Sequence, residues 1–427
     1  MTALARETTL QMLGRRIRSP AAWGETVDLF AILTVASLPW STSLVAIFNA
    51  AFLVCMVPFL DVHAFMQSLK RPISAAPIAL FLLALVGTLW SDAAWGARLY
   101  AVGPTVKLLV LPVLLYHFER SPRGHWVFLA FLASCAFLSV MSWLVAFYPH
   151  LSIKPGNVER GIFVKNYIDQ SQEFTLCAVA LAYPIVRVLR AKRYWLAALL
   201  TSLALSFFAN MAFVVVSRTA LVTVPIMLAV FALLHLNWRS VLIASAAIAA
   251  GALLAWQASP QLRKTADTFA SDYSRYVEKG ESTSAGLRLE FWRKSLGFFA
   301  EAPIRGHGTG STRGLFEQVV TGNNDQASHA VIGNPHNQTL YVAVQWGIIG
   351  VVILYTIWFA HLWLFRGDGL ANWIGLLVVA QNVFTSLFNS HLFDFHEGWM
   401  YVLGVGVAGG MVARVRREAP TPEEGRS

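Results

Sequence analysis

The feature that most limits this chain is a series of apolar blocks, each about as long as a bilayer is thick. Stretches 78–90, 108–118, 126–147 and 241–256 carry almost no charge. A helix of roughly 20 apolar residues crosses the hydrocarbon core with its backbone amides satisfied internally. Composition points the same way: 56% of the 427 residues are hydrophobic and 13% are charged, against about 25% charged in an ordinary soluble domain. We read about twelve spans, at about 27–40, 43–60, 74–90, 99–118, 125–147, 168–189, 195–216, 219–236, 239–257, 339–365, 370–388 and 398–413. The first is short enough to form a hairpin with the second. The expected fold is an all-α polytopic membrane protein with one large, partly helical loop at 258–338. Segment 1–26 precedes the spans and 414–427 follows them.

Basic residues set the orientation. With the N-terminus inside, the inner segments hold Arg15, Arg16, Arg18, Lys70, Arg71, Arg120, Arg123, Arg187, Arg190, Lys192, Arg193, Arg239, Arg366 and Arg414 among others. The short outer loops hold only Arg98, Lys154, Arg160, Lys165 and Arg218. Both termini are therefore expected inside and the 258–338 loop outside. The net charge of +10 is mostly this bias, not a nucleic-acid footprint. Cys55, Cys135 and Cys177 all fall in spans, so no disulfide is expected in the outer loops. No cleavable signal is read at the N-terminus. Leu10, Met12, Leu13 and Ile17 beside its arginines suggest a short basic helix on the membrane lipids. The tail after Arg417 reads as disordered.

The 258–338 loop is the one long polar interval. Leu262, Ala266, Phe269, Tyr273 and Tyr276 have helical spacing, as do Leu287, Leu289, Phe291, Trp292, Leu296 and Phe299. Between 303 and 310 the run Gly306-His307-Gly308-Thr309-Gly310 reads as a tight turn. It lacks the Gly-Lys-Ser/Thr of a nucleotide loop. A polar link follows at 322–328.

Arg218 stands where two spans meet with almost no loop. Its fork of donors suits phosphate oxygens; the plain alternative is an interfacial side chain snorkelling to the headgroups. Arg288 lies on the amphipathic helix beside Phe291 and Trp292, and Arg305 is a weaker third cation. His336 is the candidate general base, since neutral imidazole accepts a proton near pH 7. It follows Pro335 where the loop re-enters the membrane, with Asn337 and Gln338 able to orient its ring or a substrate hydroxyl. Capping the tenth span is its plain reading. Lys107 lies inside the fourth span and either snorkels or faces something anionic. His391, Asp394, His396 and Glu397 form the competing idea of a metal site, although their spacing matches no strong motif.

Together the Ser217-Arg218-Thr219-Ala220 junction, Arg288 with Phe291-Trp292, the 306–310 glycine run, and Pro335-His336-Asn337-Gln338-Thr339-Leu340 followed by Gln345-Trp346-Gly347 resemble the bacterial O-antigen ligase and O-antigen polymerase superfamily. The resemblance is specific from about 205 to 350. It implies a fold akin to the lipid-dependent integral-membrane glycosyltransferases, and transfer of a glycan from undecaprenyl pyrophosphate without metal or nucleotide. It also implies an active site on the periplasmic face of the inner membrane. In the ligases the acceptor is a sugar hydroxyl of the lipid A core. The resemblance carries essential roles onto Arg218, Arg288 and His336, and less surely onto Asp394. Arg305, Arg160 and Lys165 are then possible helpers on the pyrophosphate, with Asn337 and Lys107 also near substrate. Protein-glycosylating relatives usually run longer and end in an extra soluble domain. A transporter or flippase would instead place polar breaks at the bilayer midplane, whereas the polar residues here cluster at the outer ends of spans.

Overall fold

The computed structural model describes residues 20–153, 161–279, 281, 283–319 and 331–418. The expected N-terminal basic helix, Arg160, the 322–328 link and the final tail lie outside the described residues. Every regular element among the described residues is helical. The first group is α1 (Pro20–Ser37), α2 (Thr42–Met56), α3 (Val62–Leu69), α4 (Pro72–Val86), α5 (Trp95–Val106), α6 (Val110–Phe118) and α7 (Gly124–Phe147). Then come α8 (Tyr167–Ala180), α9 (Ala182–Arg190), α10 (Tyr194–Phe213), α11 (Arg218–His235) and α12 (Trp238–Ala258). The large loop contributes α13 (Pro260–Lys279), α14 (Ser284–Glu301) and α15 (Thr312–Gln318), and the chain closes with α16 (Gln338–Leu364), α17 (Leu370–Thr385) and α18 (Phe395–Glu418).

Ten helical stretches are long and apolar enough to cross a membrane, with α5–α6 and α8–α9 each counting as one. The protein is therefore an all-α, multi-pass membrane protein. Two of the twelve expected spans fall outside the ten: α1, which packs on α2 as the hairpin reading required, and the 16-residue α17. Helix α3 lies in what was read as the connector after the second span.

The core forms where α18 meets α6 and α17. Glycines on α18 permit the approach, as small residues do between membrane helices. A Cβ at Gly406 would stand 2.6 Å from that of Leu114, and one at Gly410 2.6 Å from that of Phe118. Helix α12 is the opposite case, since none of its residues is buried.

The large loop is pinned to the bundle by a break in α16. Gly347 leaves helical geometry at φ 59°, ψ −155°. There the 303–308 segment crosses the helix. Val344 O and Gln345 O accept from the backbone N–H of His307 and Gly308 at 2.9 and 2.8 Å, while Ile348 N donates to Pro303 O at 2.8 Å. Gly306, Gly308 and Gly310 all have positive φ, so the glycine run is the expected tight turn. It ends with Thr309 accepting from Trp346 Nε1 at 2.8 Å and donating to Ala84 O at 2.6 Å.

Candidate active site

His336 immediately precedes the Asn337 cap of α16 and has φ 54°. A left-handed backbone is uncommon outside glycine, and is held only where neighbours enforce it. Asn334 does so, its Oδ1 accepting from His336 N at 2.9 Å and from Ser390 Oγ at 2.7 Å. The ring is fixed in turn. His336 Nδ1 lies 2.9 Å from Asn389 Oδ1, and Asn389 Nδ2 donates to Asp394 Oδ2 at 2.8 Å. The Asp394 carboxylate accepts only, so it sets the Asn389 amide with its oxygen toward the ring. His336 Nδ1 must then carry the hydrogen, leaving the Nε2 lone pair free. Burial, and secondarily the Arg288 charge, hold the imidazole below its ordinary pKa, while the Asn389 hydrogen bond opposes them. A neutral imidazole oriented by a third group is the arrangement of a general base.

Arg288 and Phe291, one turn apart on α14, both face His336; the Phe291 and His336 ring centroids are 6.3 Å apart. Burial lowers the Arg288 pKa, and Tyr167 and Arg218 are the ionisable neighbours it feels. Among the described residues Arg288 has no hydrogen-bond or ion-pair partner. Arg218 opens α11 after the extended Ser217. Its Nη1 donates to Asp272 Oδ2 of α13 at 2.6 Å, and its side chain is 29% exposed. Thus Arg218 is bound within the protein yet still reachable, instead of snorkelling freely.

The other expected residues are distributed differently. The ring of His336 is bonded to Asn389, not to Asn337. Asn337 Oδ1 caps Leu340 N at 3.1 Å and its Nδ2 donates to Leu387 O at 3.3 Å. Asn389 takes the orienting role. Lys107 does not snorkel; it is buried, and its Nζ donates to Phe393 O at 3.0 Å and to Asp394 O. It braces the last loop. Arg305 is exposed, and among the described residues nothing ties it to Arg218, Arg288 or His336. Lys165 sits instead by Asp169 and Glu173.

Of the metal-site candidates, His396 Nδ1 has turned to Asp169 Oδ2 at 2.6 Å. Ligand atoms of His391, Asp394 and Glu397 lie within 4.8 Å of one another. The Lys107 ammonium donates to the backbone of this loop. Burial lifts the Asp394 carboxyl to about 6 and presses His391 down to about 4. Polar groups also extend further inward than expected. Gln172, Glu173, Gln381 and Asn382 are buried below the site.

Residues 203–355 match the family model described as O-antigen ligase. Over that segment the chain is similar to the O-antigen ligase family. A Haemophilus influenzae protein described as uncharacterised is 27% identical over 146 residues, covering 33% of this chain and 37% of that protein. The match thus spans little more than a third of that relative.

The matched segment contains Arg218, Asp272, Arg288 and His336. Asn389 and Asp394, which complete the histidine relay, lie outside it. Asp272, Asn334 and Asn389 were missed by sequence reasoning. Asp272 sits among other polar residues of an amphipathic helix. Asn389 begins the polar outer loop that also holds Asp394, and that was its one available signal.

Proposed function

We propose that this protein is a glycosyltransferase of the O-antigen ligase type. It moves O-antigen from undecaprenyl pyrophosphate to a sugar hydroxyl of the lipid A core at the periplasmic face of the inner membrane. The observation that carries this reading is the gathering of Arg288 with both Arg218 and His336. Arg288 thus neighbours a second fixed cation on one hand and an oriented imidazole on the other, which supports this reading. The acceptor hydroxyl gives its proton to His336 Nε2 as its oxygen bonds to the anomeric carbon. The bond from that carbon to the pyrophosphate oxygen breaks, and the leaving group takes the electron pair. Arg218 and Arg288 stabilise the charge that grows there, which is usually the largest catalytic term. The proton then passes from His336 to the released pyrophosphate or to water. Attack from the face opposite the leaving group inverts the anomeric centre. These side chains supply the base and the electrophilic help, so the proposed reaction uses no cofactor. Membrane lipids are the surroundings of both substrates, and no nucleic acid takes part.

An O-antigen polymerase, with a second lipid-linked glycan as acceptor, uses the same base and clamp. The test is purified protein given undecaprenyl-pyrophosphate glycan with lipid A-core, and separately donor alone. Transfer only when core is present is the expected result. Chain growth on donor alone makes the protein a polymerase, and no transfer in either arm rejects both.

A further inference from the structure

We propose that Asp272 is an exchangeable counter-anion. It holds Arg218 while the site is empty and yields it to the pyrophosphate of the donor. This rests on the glycosyltransfer reading above and concerns how the same site takes up and releases its leaving group.

The start of α11 is an unfavourable place for a cation. A helix N-terminus already carries partial positive charge, and Arg218 is the first residue of this 18-residue helix. Arg288 adds a second guanidinium nearby. The carboxylate that answers Arg218 is Asp272, whose side chain is 5% exposed and meets it through a single Nη1 contact at 2.6 Å. Among the described residues, the remaining Arg218 donors and all of the Arg288 donors have no partner. Ser217 Oγ, buried at the same helix start, has none either. Two neighbouring guanidinium groups thus show, among the described residues, a single carboxylate contact, the one Arg218 makes, with several donors unused. That imbalance suits a ligand with more than one negative charge and more oxygens than a carboxylate offers, as a pyrophosphate has.

The backbone of Asp272 is anchored separately from its side chain. Its carbonyl accepts from Thr283 Oγ1 at 2.8 Å, and the Thr283 hydroxyl in turn accepts from Gly286 N at 3.2 Å to cap α14. Helix α14 carries Arg288. The Asp272 carboxylate is thus able to release Arg218 without loosening the helix that presents the second arginine. After transfer the leaving pyrophosphate bears more charge than the bound donor did. A carboxylate competing for Arg218 then favours its departure.

The test is binding of inorganic pyrophosphate to the detergent-solubilised full chain, by calorimetry, which requires no transfer reaction. Asp272→Asn should bind pyrophosphate about tenfold more tightly than the unaltered protein, a change of about 1.4 kcal/mol. Asp272→Glu, which keeps the competitor, should stay near the unaltered value, and Arg218→Ala should lose binding. In transfer assays Asp272→Asn should lower KM for donor and lower kcat through slow product release. A purely structural role for Asp272 does not tighten binding. If the Asn side chain prevents folding, the smaller neutral Asp272→Ser carries the same expectation. Unchanged or weaker pyrophosphate binding in the folded neutral variants, with binding still lost in Arg218→Ala, overturns the exchange and leaves the clamp standing. Full binding in both Arg218→Ala and Arg288→Ala removes the clamp itself.

Discussion

His336 acts as a base only while Nε2 is bare, and three neighbours bear on that condition with different signs. Burial and Arg288 lower its pKa, and Asn389 raises it. Transfer should therefore fall on the acid side as pH drops through a value below the usual 6.5. Arg288→Gln removes a lowering charge, so the acid limb should move to higher pH. Asn389→Leu removes the raising hydrogen bond, so the limb should move to lower pH while the plateau falls because the ring is no longer oriented. Shifts of one sign in both variants would remove the assignment. His336→Ala should cost about 10²–10⁴-fold in rate without changing expression. Arg218→Lys keeps the charge but loses the planar fork, so it should lose much of the core-dependent transfer, and Arg218→Ala nearly all. Arg293 is the control. Its side chain is 75% exposed and bonded to Glu290 on its own helix, so Arg293→Lys should be nearly silent. Stripping with EDTA should leave transfer intact. Loss restored by Mg²⁺ would return His391, Asp394 and Glu397 to the mechanism.

At the scale of elements, the broken α16 ties the loop to the membrane domain. Its geometry at Gly347 is one that only glycine adopts readily, and strain there costs about 1–3 kcal/mol for other residues. An added Cβ would also stand 2.3 Å from Ile304 O. Gly347→Ala should lower thermal stability and reduce transfer together, whereas Gly297→Ala, in open space on α14, should leave transfer unchanged. The break was not legible in the sequence, because a glycine in an apolar run signals neither a kink nor the segment that crosses it. Helices α13 and α14 were legible, since amphipathic spacing is a local property. So was the α10–α11 junction, where Arg218 interrupts a continuous apolar pattern. The Asn389 relay was hidden for a different reason. It depends on two segments 53 residues apart meeting in one register, and no local pattern encodes that.

At the scale of the molecule, the alternation of spans separates the 258–338 loop from the connector at 191–193. Gly297→Cys should react with a membrane-impermeant maleimide in intact cells, and Arg193→Cys only after the inner membrane is opened. Labelling of both in intact cells would reverse or break the assigned topology. Cys135 and Cys177 are buried and Cys55 is partly so, which keeps the background low. The Lys107 brace has a further consequence, for synthesis. Its acceptors at Phe393 and Asp394 follow it by 286 and 287 residues. At about 5–20 residues per second, Lys107 waits on the order of 15–60 s before they are made. During that wait a lone ammonium at the centre of a lipid-facing helix would cost about 2.5–3.5 kcal/mol on insertion scales. The α5–α6 span is therefore expected to stay near the translocon or at the lipid surface until the last hairpin arrives. The chain reaches its final bundle only when its end is in place, so loss of the last helix should leave the early spans to quality-control proteases.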